Sequence, residues 1–219
     1  MNLFFDTEFT GLHKETTLVS IGIVAENGKK FYAEFSDYDR KQCNEWIEEN
    51  VINHLTLSGL AATRKSKEKI QDLQSKGYEV SNQPSIPTSY SIMEYGIKHE
   101  TQDGTTKVYG DCVWISLQLE KWLSQFEEVQ FVSDVCHYDM VLLINIFGGA
   151  FDLPRNVSAA CHDINQDIAK HYGISDREAF DKSREDIVSE LCGGCIAGNK
   201  HNALYDAEVI KSIYEVVAD

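Results

Sequence analysis

Basic residues are scarce: 20 Lys and Arg stand against 35 Asp and Glu, a formal charge of −15 over 219 residues. That balance argues against a broad cationic face and against nucleic-acid binding by simple charge attraction, although a small contact compensated by metal ions stays open. Long apolar runs are missing too, since no window approaches the roughly 18 residues of a membrane span. The N-terminus has no cationic leader followed by an apolar stretch, so a cytoplasmic protein with no membrane partner is expected. Six cysteines show no paired framework and read as free thiols. Cys192 and Cys195 form a C-x-x-C without a second copy, which reads as a glycine-rich helix end with two buried thiols and not as a zinc or redox site. Repeats and low-complexity tracts are absent. A hydrophobic content of 42% suffices for one sizeable core, so a single domain over 1–219 is expected.

Residues 2–5, 18–26 and 30–35 read as strands, with Asn27-Gly28 as a two-residue hairpin turn, giving a three-strand antiparallel meander. In 39–55, Cys43, Trp46, Ile47, Val51 and Leu55 recur at three to four residues, the spacing of one helix face. From 58 to 110 the character changes, and the segment reads as an insertion. It opens polar, is broken by Pro84 and Pro87, and ends in two short strand patterns around Asp103-Gly104. Between 60 and 80 it holds five basic residues (Arg64, Lys65, Lys67, Lys69 and Lys76) against three acidic ones, candidates for backbone contacts or a solvated helix face. Helix over 113–126, strand over 128–133 and helix over 137–149 follow. A strand at "VSAACHDI", helices at 163–172 and 176–191, and an amphipathic helix over 202–217 with Asn202 as N-cap close the chain. The tryptophans and tyrosines fall at periodic spacing and are expected in the core. The order predicts an α/β fold with a mixed sheet flanked by helices.

Asp6 and Glu8, at the end of the first strand, lie two residues apart and therefore project from the same face. Unneutralised, such a pair repels by about 1 kcal/mol at 4 Å in water and several-fold more where solvent is excluded. A divalent cation would account for the pairing, while a solvated strand end is the plain alternative. Near the C-terminus, "HNALYD" sets His201 five residues ahead of Asp206. Five helical residues rotate roughly 500°, so the two can share a site only if His201 precedes the helix and Asp206 lies in its first turns.

"DTEFTGL" together with the late "HNALYDA" resembles the DEDDh 3′-5′ exonucleases of the DnaQ-like, RNase H-like superfamily. The first motif of that family reads D-x-E-x-T-G-L and its third H-x-x-x-x-D. Its second motif, an aspartate opening a helix after an aromatic, matches Asp139 in "CHYDMVLL", with Asp134 as a competitor lacking that context. The H-N that commonly precedes the second aspartate is replaced by "SDVCH". Over 1–57 and 111–219 the chain resembles more narrowly the small stand-alone exoribonuclease branch first described in mycobacteria.

The resemblance implies an RNase H-like fold in which Asp6, Glu8, Asp139 and Asp206 hold two Mg²⁺ or Mn²⁺ ions, with His201 as general base. Thr7, Thr10, Gly11 and Leu12 are implied as substrate contacts, Leu12 as a wedge against a base or as a core residue. The implied partner is single-stranded or 3′-overhanging nucleic acid, RNA favoured over DNA, and a homodimer is compatible with that branch. Alternatives are a DNA 3′-5′ exonuclease of the same fold and a DnaQ-like module that binds without hydrolysis. A haloacid-dehalogenase-type phosphatase fits less well, because Glu8 stands where that chemistry needs an aspartate.

Overall fold

The computed structural model describes residues 1–58, 96–194 and 196–218. The basic positions of 60–80 and the prolines at 84 and 87 lie outside the described residues. Among the described residues a seven-stranded mixed sheet has the order β4-β5-β3-β2-β1-β6-β7. Its strands are β1 (Asn2–Phe9), β2 (Leu18–Ala25), β3 (Lys30–Phe35), β4 (Ile97–Glu100), β5 (Thr105–Gly110), β6 (Val129–Ser133) and β7 (Val157–Asp163). β1, β2 and β3 form the expected antiparallel meander, and β6 and β7 extend it in parallel beyond β1. With helices flanking the sheet, this is an α/β fold that agrees with an RNase H-like architecture.

Side-chain alternation along the central strands divides the core in two. Leu3, Phe5, Ile21, Ile23, Phe31 and Ala33 pack beneath α2 (Cys112–Leu123) and α3 (Cys136–Ile146). On the other face Phe4 and Val132 meet α4 (Ile164–Tyr172), α6 (Arg184–Leu191) and α7 (Ala203–Val217), with Ala179 of α5 (Asp176–Asp181) in the same cluster. Fully burying a branched or aromatic side chain of this kind contributes about 1.5–3 kcal/mol, so these layers hold the sheet against its helices.

The Asp103-Gly104 hairpin forms between β4 and β5, and β5 pairs with β3 in parallel over six residues. Val108, with no exposed surface, belongs to the core beneath α2. The end of the 58–110 segment is therefore part of the central sheet.

Two helical expectations break into pieces. Residues 39–55 form a 3-10 turn (Arg40–Gln42), α1 (Glu45–Asn50) and a second 3-10 turn (Ile52–His54). The break is local chemistry: Cys43 is extended, and the Asn44 side chain accepts from the backbone N–H of Ile47, starting a new helix. Residues 176–191 divide at extended Lys182, after which the Ser183 hydroxyl accepts from the Asp186 N–H to cap α6. Cys192 does end a helix, but its thiol is exposed, against the expectation of burial; Cys195 lies outside the described residues.

Candidate metal and active site

β1 pairs with β6 only from Asn2–Gln130 to Phe4–Val132, after which the strands part. The cleft so opened lies at the carboxyl ends of two parallel strands, where open α/β sheets place their ligands. Asp6 and Glu8 stand on its β1 side. α3 begins immediately after β6 and carries Asp139 in its first turn, and α7 carries Asp206 in its own.

Three carboxylates that could share one ion form two such groups here. Asp6, Asp134 and Asp139 offer oxygens within 4.8 Å of one another, and so do Asp6, Glu8 and Asp206. Asp6 belongs to both. All four acids named from the motifs therefore converge, and Asp134 joins them as a fifth. Asp139 is 1% exposed, and its two oxygens accept hydrogen bonds from Thr7 Oγ1 (2.6 Å) and Ser133 Oγ (2.5 Å). Asp134 is held differently, because Arg184 Nε donates to its Oδ2 at 2.8 Å. The guanidinium also donates to Asn165 Oδ1 and to the carbonyls of Ala179 and Lys182. One of the five charges thus has a fixed counter-ion.

Asp6 Oδ2 is enclosed and has no hydrogen-bond partner among the described residues. A buried acceptor left bare is costly, so an orphaned carboxylate oxygen among four other acids fits a site built for a cation. The donor set is all oxygen, which suits Mg²⁺ or Mn²⁺. The charge balance without a cation is visible in the acid strengths. Burial, then the neighbouring charges of Asp139 and Glu8, push the Asp6 carboxyl well above the usual range. Burial and Asp206 raise Glu8 to about 8. Asp139 is raised to about 7 by burial, against the pull of the Ser133 and Thr7 hydroxyls. Asp206 is raised to about 7 by burial and Asp134.

His201 precedes α7, as its spacing required, with a left-handed φ of 62°. Its Nδ1 lies 3.9 Å from Glu8 Oε1. Burial, then the nearby Lys200, lowers its pKa from the ordinary value, favouring a neutral ring.

The implied substrate contacts separate. Leu12 is 75% exposed, which removes the core reading and leaves its side chain free beside the acids' loop. Thr7 and Thr10 are both buried. Alternation turns Thr7 away from Asp6 and Glu8 toward α3, where it holds Asp139. Thr10 Oγ1 instead bonds Gln42 Oε1 (2.5 Å) and accepts from the Thr17 N–H (2.9 Å), closing the loop that carries Gly11 and Leu12.

Trp46 overturns the expectation that every tryptophan is core. It is 53% exposed, and its ring stands edge-on to His201 with centroids 5.0 Å apart. Asn44 with Glu45 and Glu48 was a readable helix start, and recognising it would have separated Trp46 from the buried Ile47. Phe9 and Tyr138 stack at 5.6 Å across the junction of β1 and α3.

No family model matches the chain. Two curated relatives from Mycobacterium tuberculosis, strains CDC 1551 and H37Rv, are each named a 3′-5′ exoribonuclease and are 36% identical to it over 55 residues. That stretch is 25% of this chain and 33% of each relative, so the chain spans about a third of the length of the curated relatives it matches. The likeness is to proteins named as exoribonucleases.

Proposed function

We propose that the protein is a metal-dependent 3′-5′ exonuclease of the DEDDh type, acting on RNA and releasing nucleoside 5′-monophosphates. The convergence of Asp6, Glu8, Asp139 and Asp206 beside His201 carries this reading, and the exoribonuclease names of the partial relatives support it. The four carboxylates would hold two Mg²⁺ or Mn²⁺ ions, with Asp6 common to both groups. Bound, such ions neutralise phosphodiester charge and make water acidic enough to attack near neutral pH. His201, kept neutral by its lowered pKa, accepts the proton that the attacking water loses. Glu8, 3.9 Å from Nδ1, steadies the imidazolium that results. Leu12 and Trp46 offer exposed apolar surface on which a terminal base can rest. The cleavage of one phosphodiester bond by one water leaves a 3′-hydroxyl on the shortened strand and a 5′-phosphate on the released nucleoside.

The test is incubation of the pure protein with matched RNA and DNA oligonucleotides, labelled at either end, with Mg²⁺, with Mn²⁺ and with EDTA. Stepwise loss from the 3′ end of RNA, only with metal, is expected. Cleavage persisting in excess EDTA, or cutting of a circular substrate, overturns the reading. Equal or faster loss from DNA overturns the choice of RNA alone.

A further inference from the structure

The register of the sheet carries the acid pair sideways. Asp6 pairs with Gly22, which pairs with Tyr32; Glu8 pairs with Ser20, which pairs with Glu34. Members of these two rows share the face covered by α7. Glu34 has no exposed surface, and among the described residues its carboxylate is bonded by hydroxyl and backbone N–H groups and by no basic side chain. Its Oε1 accepts from Tyr32 Oη (2.9 Å), from the N–H groups of Thr56 (2.6 Å) and Leu57 (2.8 Å) and from Thr56 Oγ1 (3.3 Å), and its Oε2 from the Ser58 N–H (2.6 Å).

Those donors lead to His201 from two sides. Because the phenolic proton goes to Glu34, the Tyr32 oxygen presents a lone pair, and Asn202 Nδ2 donates to it at 3.4 Å. Asn202 follows His201 directly and caps α7 by accepting from the Tyr205 N–H. A left-handed backbone at a residue other than glycine persists only where its surroundings fix it, and the anchored neighbour supplies that. On the second side, the Thr56–Ser58 backbone ends the stretch containing α1, whose Trp46 ring abuts the His201 imidazole.

We propose that Glu34 is a positioning residue for His201, acting through the Tyr32 hydroxyl and Asn202 on one side and through the Thr56–Ser58 backbone on the other. The proposal deepens the reading of His201 as proton acceptor and rests on it. Glu34 touches neither substrate nor metal. It fixes the direction of the phenol and the seat of the chain bearing Trp46, and so the angle at which the imidazole faces the acids.

The experiment compares the wild type, Tyr32→Phe, His201→Ala and the double variant on a short RNA with Mg²⁺, and follows the His201 imidazole signal by NMR, assigned by its loss in His201→Ala. Loss of one such hydrogen bond is expected to lower kcat about tenfold with KM unchanged, and to lower nothing further once His201 is alanine. The His201 signal shifts in Tyr32→Phe. An equal fall in both backgrounds, or no fall, overturns the proposal. Should the wild type cut no nucleic acid, the exonuclease reading fails by itself, and the imidazole signal decides the positioning role: unchanged in Tyr32→Phe, it overturns that role, and shifted, it upholds it. Glu34→Gln provides the same readings if Tyr32→Phe does not fold, because its amide nitrogen cannot accept from the Ser58 N–H.

Discussion

At the scale of single residues, His201 and Asp139 separate proton transfer from ion binding. His201 stands outside both carboxylate groups, so His201→Ala is expected to cut kcat by about 10²–10⁴ while Mn²⁺ affinity in titration calorimetry stays nearly unchanged. A large loss of affinity would make it a ligand instead. Asp139 gives a stability test with a worked sign. Its carboxyl titrates near 7 in the fold, above the unfolded range near 4, so at pH 8.5 without metal the folded state carries an unfavourable charge that the unfolded chain tolerates. Asp139→Asn should therefore melt higher than the wild type at pH 8.5 in EDTA, by a margin that narrows at pH 5.5 and closes only towards about pH 4, and be inactive. If it melts lower at pH 8.5, the lost bonds to Thr7 and Ser133 outweigh the relief of charge.

At the scale of elements, the seat of α7 depends on one glycine. A Cβ at Gly22 would lie 2.3 Å from the backbone of Ala203 and Leu204, in the first turn of the helix that bears Asp206 and follows His201. No flexible side-chain tip is there to yield, so the helix itself must move. Gly22→Ala is expected to cost about 1–3 kcal/mol in urea unfolding and to remove most activity, since His201 and Asp206 shift together. Full activity with wild-type stability would show that α7 tolerates displacement. This contact was not legible in "SIGIVA", where a glycine reads as a weak strand position; the helix that needs it lies some 180 residues further along.

For the molecule as a whole, stability should depend on pH and metal together. Glu8, Asp139 and Asp206 titrate in the fold at about 8, 7 and 7, and Asp6 is raised as well. Between about pH 4 and 8 the folded state therefore holds protons that the unfolded chain has released, and stability falls as pH rises through that window. In EDTA, Tm at pH 5.5 should exceed Tm at pH 8.5. Mg²⁺ at ten times its Kd should restore about 1.4 kcal/mol and flatten the dependence. A metal-free Tm that rises with pH would mean that the acids do not converge. Among the described residues no helix is long and apolar enough to cross a membrane.

The sequence by itself determined the features written within a few neighbouring residues. Period-two alternation put Asp6 and Glu8 on one face, Asn202 marked the start of α7, and the His201–Asp206 spacing required the histidine to precede that helix. Turn residues placed the β2–β3 and β4–β5 hairpins. Tertiary structure decided what depends on which distant segments meet. It seated β5 beside β3, joined Asp134 to Asp6 and Asp139, brought Trp46 to His201, and aligned Glu34 with Glu8 through Ser20. Local spacing fixes the direction of a side chain on its own strand or helix, whereas register and helix docking are settled by burial and backbone pairing across the whole chain.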